Sequence, residues 1–557
     1  MARTVIDPVT RIEGHLRVEL EVDGGVVKDA WVSGTLFRGL ELIMKDRAPE
    51  DAFYVSQRIC GVCPVSHGHT SSMAVEKAFN VTIPNNARIV RNLVEGAQFL
   101  HSHILWFYNL AALDWVDPSK CLVANVADTY ALAVQAGTSA ADFGKVKQRI
   151  ADLVAGGQLS IFSGAWFGNP AYKLPPELDL IATAHYLEAL QMQAQASMIA
   201  AEIGGKMPHI MTSIPGGTCW MPTEQRLADI LYRVTAIRDW IAATMIPDVL
   251  AIAPFYLDAL TYGQGVGAFA AWGVFDRKDG KPNDRYLPAG IIPAGQLTVG
   301  DVDEAKILEY VDTSFYEPYP EGAGKGLNPT AGVTQPQAPV YDTTKPGGKY
   351  TWAKAPRYDG KPYEVGGLSR LLVAYLRGVP EIKASIDGVL AKLGTPGKPA
   401  PATALVSTLG RTAARPLEAL YVADKMIEWV VEIIGSLKGG DLAFFQAYDN
   451  TQGAGVGMWE APRGALLHAI NVSGGKIQNY QCIVPSTWNV SPRTEGTPHG
   501  PMEAALVGNP VDDLKQPLQA LRTVHSFDPC IACAVHLIEP RKGAEVTVWS
   551  KPAMGVR

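Results

Sequence analysis

The sequence has little charge of either sign and no concentrated basic segment. Charged residues make up 19% of the 557 residues, and the formal net charge is −6. Because no cluster of lysine or arginine offsets this balance, the composition argues against non-specific nucleic-acid binding. We also find no internal repeat and no low-complexity tract.

Long uninterrupted hydrophobic runs are also missing. The first residues, Met1–Asp7, lack the apolar run of a signal peptide. The most apolar stretch, residues 241–260, contains Pro247, Asp248 and Pro254, which we expect to break a membrane-spanning helix. We therefore expect a soluble chain, whose export would require a signal carried by a partner.

Hydrophobic residues account for 47% of the chain, which is enough for a large core. Helical periodicity is strongest over residues 87–113, where Leu93, Ala97, Leu100 and Ile104 share one face. Because several segments of this kind exceed twenty residues, they favour a helix bundle. Further helices are predicted at about 127–155, 176–203, 223–246 (with Thr223 as N-cap) and 411–435.

The remaining segments predict small sheets and long loops. Alternating residues over 16–34 predict a hairpin, and residues 461–488 return to strand character with a Gly474-Gly475 turn. Residues 262–363 and 392–402 are rich in glycine and proline and predict loops with short hairpins. The predicted class is α+β and mainly helical, with a long-helix bundle core, small peripheral antiparallel sheets and long loops.

Two C-x-x-C pairs lie near opposite ends of the chain, Cys60/Cys63 and Cys530/Cys533. Such a pair presents two sulfurs to one metal ion, although a single pair also occurs in redox disulfides and zinc ribbons. A histidine follows each pair, His67 after the first and His536 after the second. We predict one four-thiolate site closed across a single entangled unit, residues 1–536.

The identity of the metal stays open on the cysteines alone. Four thiolates hold zinc, an iron–sulfur cluster or nickel with iron. Zinc ribbons place their two pairs within a few tens of residues, which argues against zinc here. The other three cysteines, Cys121, Cys219 and Cys482, are scattered, so we do not expect a disulfide framework.

The segments R-I-C-G-V-C-x-x-x-H at 58–67 and D-P-C-x-x-C-x-x-H at 528–536 resemble the large subunit of nickel–iron hydrogenases. The similarity extends to the membrane-bound and periplasmic uptake group. It implies that four cysteines hold nickel and that two of them bridge to an iron carrying carbon monoxide and cyanide. The resemblance makes Cys60 and Cys530 the terminal thiolates, and Cys63 and Cys533 the bridging ones.

The same resemblance implies the groups that split dihydrogen. The terminal thiolate of Cys530 or a suspended base would take a proton, and Glu13, in R-I-E-G-H, would relay it. The guanidinium of Arg463 would lie above the metals, held by an ion pair with Asp528. His67 would lie beside the bridging thiolates. Read without the family, Arg463 would be an ordinary ion-pair residue, and Glu13 would pair with Arg11 at a sheet edge. Part of the family places an aspartate near the arginine that matches Arg463, in an H-D-H triplet. This chain has His101-Ser102-His103 at that position, so the aspartate is absent.

Other matching positions imply cofactor contacts and a second metal. Ser486 corresponds to a residue that hydrogen-bonds a cyanide ligand, and Pro485 and Pro462 belong to the same cofactor-binding segments. A magnesium-type ion would be held by Glu41, by His536 and by the backbone carbonyl of Cys482, with Lys354 nearby. Carboxylate and carbonyl oxygens suit such an ion, whereas imidazole is a less usual ligand.

The resemblance also predicts processing and partners. Residues 537–557 correspond to a propeptide that a maturation endopeptidase removes after nickel-insertion proteins have acted. No further cysteine motif holds clusters, so an iron–sulfur small subunit is implied, and a membrane cytochrome is a possible further partner. The expected location is the periplasm or the periplasmic face of the membrane, with the cytoplasm as the alternative.

Two alternative functions remain open on the sequence. One is a hydrogen-sensing relative with low turnover, against which the predicted processing tail weighs. The other is a non-catalytic four-cysteine metal protein. The quinone-pocket subunit of respiratory complex I is also related to the family, but it lacks the four thiolates present here.

Overall fold

The computed structural model describes residues 2–534 except 158, 163, 323, 346 and 395–397. Within these residues, ten strands form four antiparallel sheets, ordered β1-β2-β3, β10-β9-β8, β4-β5 and β6-β7. The strands are β1 Ala2–Ile6, β2 Leu16–Asp23, β3 Val26–Gly34, β4 Phe269–Ala271, β5 Gly290–Ile292, β6 Ile307–Tyr310, β7 Ala355–Tyr358, β8 Gln452–Ala461, β9 Gly464–Ser473 and β10 Lys476–Ile483.

Helices supply most of the regular structure, so the predicted mainly helical α+β class is confirmed. The helices are α1 Leu40–Ile43, α2 Asp51–Ser56, α3 Pro64–Ala78, α4 Asn85–Ile104, α5 Val126–Ala136, α6 Phe143–Ala155, α7 Pro176–Gly204, α8 Glu224–Trp240, α9 Ile246–Ile252, α10 Gly367–Leu376, α11 Pro380–Leu393, α12 Thr408–Lys438, α13 Pro485–Asn489, α14 Pro501–Leu506, α15 Leu518–Ser526 and α16 Ile531–Ala534.

The longest helices agree with the sequence periodicity. The predictions over 87–113, 176–203 and 411–435 correspond to α4, α7 and α12 and are confirmed. Helix α4 continues through Leu105–Ala111 as π-helix. It packs against α7 on one side and α12 on the other. The Thr223 side chain accepts a hydrogen bond from the Arg226 amide and caps α8, as predicted.

The prediction of one helix over 127–155 is wrong, because the chain breaks between α5 and α6. Gly137 ends α5 in the left-handed region, at φ 67°. The linker then contacts buried polar groups: Thr138 Oγ1 donates to Asp248 Oδ1 at 3.0 Å, and the Ser139 amide donates to the Ala243 carbonyl at 3.1 Å. Tertiary hydrogen bonds therefore interrupt a segment whose local periodicity favours a helix.

The apolar segment around residues 241–260 is also more continuous than predicted. Residues Glu224–Leu260 form one helical run of 37 residues that is long and apolar enough, by length and composition, to cross a membrane. Pro247 follows the π-helical turn Ile241–Met245, and Pro254 lies at the start of the 3₁₀ segment Ala253–Leu260, so each proline stands where the type of helix changes. The run packs against α7 and α12.

Both predicted hairpins are confirmed. Strands β2 and β3 pair across the Gly24-Gly25 turn, and β9 and β10 pair across Gly474-Gly475. Strand character ends at Ile483, however, because Pro485 begins α13. The described residues of 262–363 contain only short strands and 3₁₀ turns between loops, as expected.

Helix α3 lies directly on β8 because glycines alternate along that strand. A Cβ atom added at Gly453, Gly455 or Gly457 would lie 2.1–2.3 Å from α3 backbone oxygens. These glycines let the helix backbone approach the strand. Since α3 begins at Pro64, this packing positions Cys63 and His67.

Two large groups of buried apolar residues stabilise the molecule. The first is built mainly by α4, α7, α8 and α12. The second joins residues from both ends of the chain, such as Leu16 and Val18 of β2 with Leu518 and Val524 of α15. The cysteines of the two C-x-x-C pairs, here called the first clamp (Cys60 and Cys63) and the second clamp (Cys530 and Cys533), belong to this second group. The hydrophobic packing of the two ends therefore brings the clamps together.

Candidate metal centre

The four clamp cysteines form one buried cluster. The Sγ atoms of Cys60 and Cys530 are 3.3 Å apart, those of Cys63 and Cys533 are 3.5 Å apart, and those of Cys530 and Cys533 are 2.8 Å apart. All four sulfurs lie within 4.8 Å of one another, and each residue is at most 2% exposed. The predicted closure of one four-thiolate site is therefore present, and its size fits metal ligation.

The N-terminal segment supports the second clamp through its main chain. The Glu13 carbonyl accepts a hydrogen bond from the Ile531 amide at 2.7 Å. Gly14 adopts φ 83°, and an added Cβ would lie 2.4 Å from the Ala532 nitrogen. Glycine is therefore required at position 14 for the two segments to approach this closely.

Arg38 connects the two clamps, a role that the sequence analysis did not predict. Its guanidinium donates to the carbonyls of Arg58, at 2.9 Å, and of Ile59, directly before Cys60. It also donates to the Ala532 carbonyl, inside the second clamp. A planar guanidinium with several fixed donors suits such a bridge between loops.

Electrostatics favour a negative charge on one of the four sulfurs, that of Cys60. Burial opposes ionisation of Cys60, but hydrogen bonds from the other three thiols, together with Arg463, bring its pKa well below the usual range. Burial and the neighbouring sulfurs raise the pKa of Cys530. A cation bound by all four sulfurs would have to displace the protons of the other thiols, as thiolate ligation requires.

Glu13 lies where the sequence analysis placed it, next to the second clamp. Cys530 Sγ is 3.1 Å from Glu13 Oε2, which also accepts the Ala532 amide at 3.1 Å. Burial and the charge of Cys60 raise the pKa of Glu13. The alternative pairing with Arg11 is absent among the described residues, because Arg11 binds Asp114 and the Leu110 carbonyl.

Arg463 is 1% exposed and forms an ion pair with Asp528, with Nε 3.0 Å from Oδ1. Its Nη1 donates to Ser102 Oγ at 3.4 Å. Burial alone would lower the pKa of Arg463, but Asp528 and the clamp thiolates raise it well above the usual value. The predicted pairing with Asp528 is present, and the guanidinium stays charged.

A second guanidinium supports the turn that carries Arg463. Arg370 donates to the carbonyls of Ala461, at 2.9 Å, and Pro462, at 2.7 Å. The same group binds Glu418 at 2.6 Å and Glu460 at 2.8 Å. Its donors thus connect helix α12 with strand β8 and the β8–β9 turn, which anchors the turn that carries Arg463.

His67 and Ser486 also contact the clamp. His67 Nε2 lies 3.5 Å from Cys533 Sγ, and burial lowers the pKa of His67 to about 4, so its ring is neutral. Ser486 Oγ accepts the Cys530 amide at 2.8 Å, and Pro485 begins the short helix α13 that presents it. This contact holds the second clamp and leaves the Ser486 hydroxyl hydrogen available for another acceptor.

The second predicted metal position contains a buried charged cluster. Glu41 Oε1 accepts the Cys482 amide at 2.9 Å, and Lys354 Nζ lies 3.2 Å from Glu41 Oε2. Lys354 also lies 3.5 Å from Glu309, whose pKa burial raises to about 7. Lys354 is thus near Glu41, as predicted, whereas Glu309 was not identified from the sequence. His536 and residues 537–557 lie outside the described residues.

The fold brings two C-x-x-C pairs from distant parts of the chain to one buried thiolate site, which is typical of a metalloprotein. Sulfur donors limit the candidate metals to zinc, iron or nickel. The family model described as nickel-dependent hydrogenase matches residues 38–536, and a HoxL-like model matches residues 3–33. The chain belongs to the nickel-dependent hydrogenase family. It is a hydrogenase large subunit and an oxidoreductase.

Individual relatives agree over nearly the whole length. The uptake hydrogenase large subunit of Rhizobium leguminosarum bv. viciae is 41% identical over 97% of this chain and 96% of the relative. The hydrogenase-2 large chain of Escherichia coli K12 is 38% identical over 98% of this chain and 99% of the relative. The Ni-Fe-Se hydrogenase from Desulfovibrio vulgaris Hildenborough superposes with a TM-score of 0.78 and 34% identity, over 96% of this chain and 100% of that structure.

Proposed function

We propose that the chain oxidises dihydrogen reversibly to protons and electrons at a nickel–iron centre held by its four cysteines. The observation that carries this proposal is the cluster of four buried sulfurs within 4.8 Å, with one sulfur 3.1 Å from the Glu13 carboxyl. A metal site and a proton acceptor therefore adjoin, which heterolytic cleavage requires.

The cysteines divide into two roles in this proposal. Cys60 and Cys530 would hold nickel as terminal ligands, and Cys63 and Cys533 would hold both nickel and an iron that carries carbon monoxide and cyanide. When bound, the nickel–iron centre polarises dihydrogen and takes up its electrons. The protein supplies the thiolates, excludes water through complete burial, and provides charges at fixed positions.

Proton removal follows the Cys530–Glu13 contact. A proton on Cys530 Sγ passes to Glu13 Oε2, 3.1 Å away, and leaves towards solvent because Glu13 is partly exposed. Burial raises the pKa of Glu13, and this brings the pKa of the carboxyl group closer to that of the Cys530 thiol. Efficient relay requires this matching.

Arg463 acts electrostatically above the site. Its charge is held by Asp528 and stabilises negative charge that develops on the thiolates during cleavage. The Ser486 hydroxyl donates to a cyanide ligand, and Pro485 and Pro462 line the same ligand environment. The packed long helices form a bundle core behind these loops and keep them rigid.

The second site would take a magnesium-type ion. Glu41 supplies a carboxylate and Cys482 a backbone carbonyl, and His536 completes the protein ligands in the processed chain. Residues 537–557 form a propeptide that an endopeptidase removes after nickel-insertion proteins have acted. Residues 1–536 then remain as one catalytic unit.

Electrons leave through an iron–sulfur small subunit, because the remaining cysteines do not form a cluster motif. The relatives described as uptake hydrogenase large subunits support this partner and a periplasmic or membrane-associated location. A membrane cytochrome would accept the electrons from the small subunit.

Metal analysis of the purified complex tests the proposal. We expect about one nickel ion per large subunit, together with hydrogen-oxidation activity. Cys530→Ser should lose both the nickel and the activity. Cys121→Ser is the matched control, since Cys121 is equally buried but lies outside the cluster. Zinc without nickel in a processed, purified complex would contradict the proposal.

A further inference from the structure

A line of buried side chains extends from Cys533 through His67, His468 and Tyr480 to Ser71. His67 Nε2 lies 3.5 Å from Cys533 Sγ, and His67 Nδ1 lies 3.1 Å from His468 Nε2. His468 Nδ1 lies 2.6 Å from the Tyr480 hydroxyl, which in turn lies 2.9 Å from Ser71 Oγ. All five residues are at most 2% exposed.

Three rigid elements hold this line. Ser71 and His67 lie one turn apart on α3, His468 belongs to β9 and Tyr480 to β10. The two strands are paired in register, and α3 is fixed on the same sheet by the glycines of β8. The rings are therefore held by secondary structure rather than by loops, which favours a positioning role.

The number of hydrogens along the line determines its direction. A metal-bound thiolate carries no hydrogen, so a hydrogen bond between His67 and Cys533 needs the hydrogen on His67 Nε2. A neutral imidazole carries one N–H, so His67 Nδ1 must then accept from His468 Nε2. By the same count His468 Nδ1 accepts from the Tyr480 hydroxyl at 2.6 Å, which is shorter than the 2.9 Å from that hydroxyl to its other acceptor, Ser71 Oγ.

We propose that His468 and Tyr480 are positioning residues that fix the tautomer of His67, so that its Nε2–H donates to the Cys533 thiolate and raises the reduction potential of the metal centre. This inference rests on the proposed function, because it takes Cys533 as a metal ligand. Tyr480 supplies a single hydroxyl hydrogen at the far end, and the two imidazoles transmit its orientation to the sulfur.

The direction of the effect follows from the charge on sulfur. A hydrogen bond to a ligating thiolate withdraws electron density from the metal and stabilises the reduced state. Removing the donor that fixes His67 weakens this bond, so the oxidised state becomes relatively more stable. Variants in the line should therefore lower the potential and still bind metal.

Four variants of the complete large-subunit–small-subunit complex test this inference. Tyr480→Phe removes only the hydroxyl, His468→Leu interrupts the line, and His468→Gln keeps a donor towards His67. Tyr256→Phe is the matched control, because Tyr256 is fully buried and its hydroxyl binds the Trp115 carbonyl elsewhere. The measurements are nickel per complex and the potential of the metal centre by spectroscopically monitored redox titration.

We expect wild-type nickel content in Tyr480→Phe with a lower potential, a larger decrease in His468→Leu, and partial recovery in His468→Gln. Tyr256→Phe should titrate like the wild type. An unchanged potential in nickel-loaded Tyr480→Phe overturns the inference, even if His468→Leu fails to load metal. An equal decrease in Tyr256→Phe overturns it as well. A wild-type complex without nickel instead overturns the metal site on which the inference rests.

Discussion

Glu13 contacts the second clamp in two ways. Its carbonyl accepts the Ile531 amide at 2.7 Å, and its carboxylate receives Cys530 Sγ and the Ala532 amide at 3.1 Å each. The main-chain contact holds the clamp in place and does not depend on the side chain. A substitution of the side chain therefore separates proton transfer from clamp geometry.

Glu13→Gln should retain nickel but lose turnover. Glutamine keeps the size and an acceptor oxygen, yet it cannot carry a proton, so hydrogen oxidation should fall by about 10²–10⁴-fold, the usual contribution of a positioned acid–base group. The measurement is hydrogen oxidation together with nickel content of the purified complex.

Glu503→Gln provides a control for this substitution. Glu503 is also buried, and it accepts hydrogen bonds from the Tyr350 hydroxyl and the Val32 amide, neither of which belongs to a clamp. It should keep its activity per nickel. Full activity in Glu13→Gln would show that protons leave Cys530 by another route.

The residues of the centre could be predicted unequally from the sequence. The four cysteines, Glu13, Arg463 and Asp528 lie in short motifs, and the structure brings them together. Arg38, Arg370 and His468 act through contacts with residues far away in the chain, and no local pattern distinguishes them from ordinary core or surface residues.

At the scale of elements, the contact between α3 and β8 should be intolerant of side chains. In Gly455→Ala the added methyl would meet the Ala74 carbonyl at 2.3 Å and the Ala78 nitrogen at 2.4 Å. Relieving such overpacking costs about 1–3 kcal/mol and shifts α3. We expect a lower thermal midpoint of the complex and less nickel per chain, because α3 carries Cys63.

Gly435→Ala is the matched control for that substitution. Gly435 lies in α12 with no other group within 4 Å of an added Cβ. Alanine there should stabilise the helix by up to about 1 kcal/mol. Equal thermal midpoints for Gly455→Ala and the wild type would mean that α3 does not rest on β8 as closely as described.

The pair of His185 and Asp248 predicts a pH dependence of stability. Asp248 accepts from His185 Nδ1 at 2.9 Å and from the Tyr108 hydroxyl at 2.8 Å. Burial alone would lower the pKa of His185, but Asp248, with a contribution from Glu188, raises it above 6.5. The stabilisation that the pair contributes is therefore full below the pKa of His185 in the unfolded chain. It is lost as the pH rises through the higher pKa of His185 in the folded protein.

His185→Gln should therefore cost more stability at pH 6 than at pH 9. The measurement is the thermal midpoint of wild type and variant at both pH values, with the ionic strength held constant so that screening of the pair does not change. A difference that stays constant with pH would mean that folding does not shift the pKa of His185.

Secondary structure was predictable where local periodicity and tertiary contacts agree. Helices α4, α7 and α12 have long apolar faces that pack as the periodicity requires. The break between α5 and α6 depends instead on Asp248, which is distant in the sequence. Local patterns contain no information about such a partner, so the boundary was missed.

On the scale of the whole molecule, the two ends of the chain share one packing unit. Leu16 and Val18 pack in the same group as Leu518 and Val524, and Arg38 bridges the two clamps. A metal bound to all four cysteines would connect these ends a second time. Its binding energy would then stabilise both ends together, because the unfolded chain lacks the assembled site.

Metal-free complex should consequently be less stable than loaded complex, and both ends should loosen together. A ligand present at about 100 times its Kd adds about 2.7 kcal/mol, so the thermal midpoint should fall measurably without metal. Amide hydrogen exchange should rise both around Cys60 and around Cys530, while α7 and α12 keep their protection because they belong to the other core. Faster exchange at one clamp alone would show that the metal is held by that pair of cysteines and not across the fold.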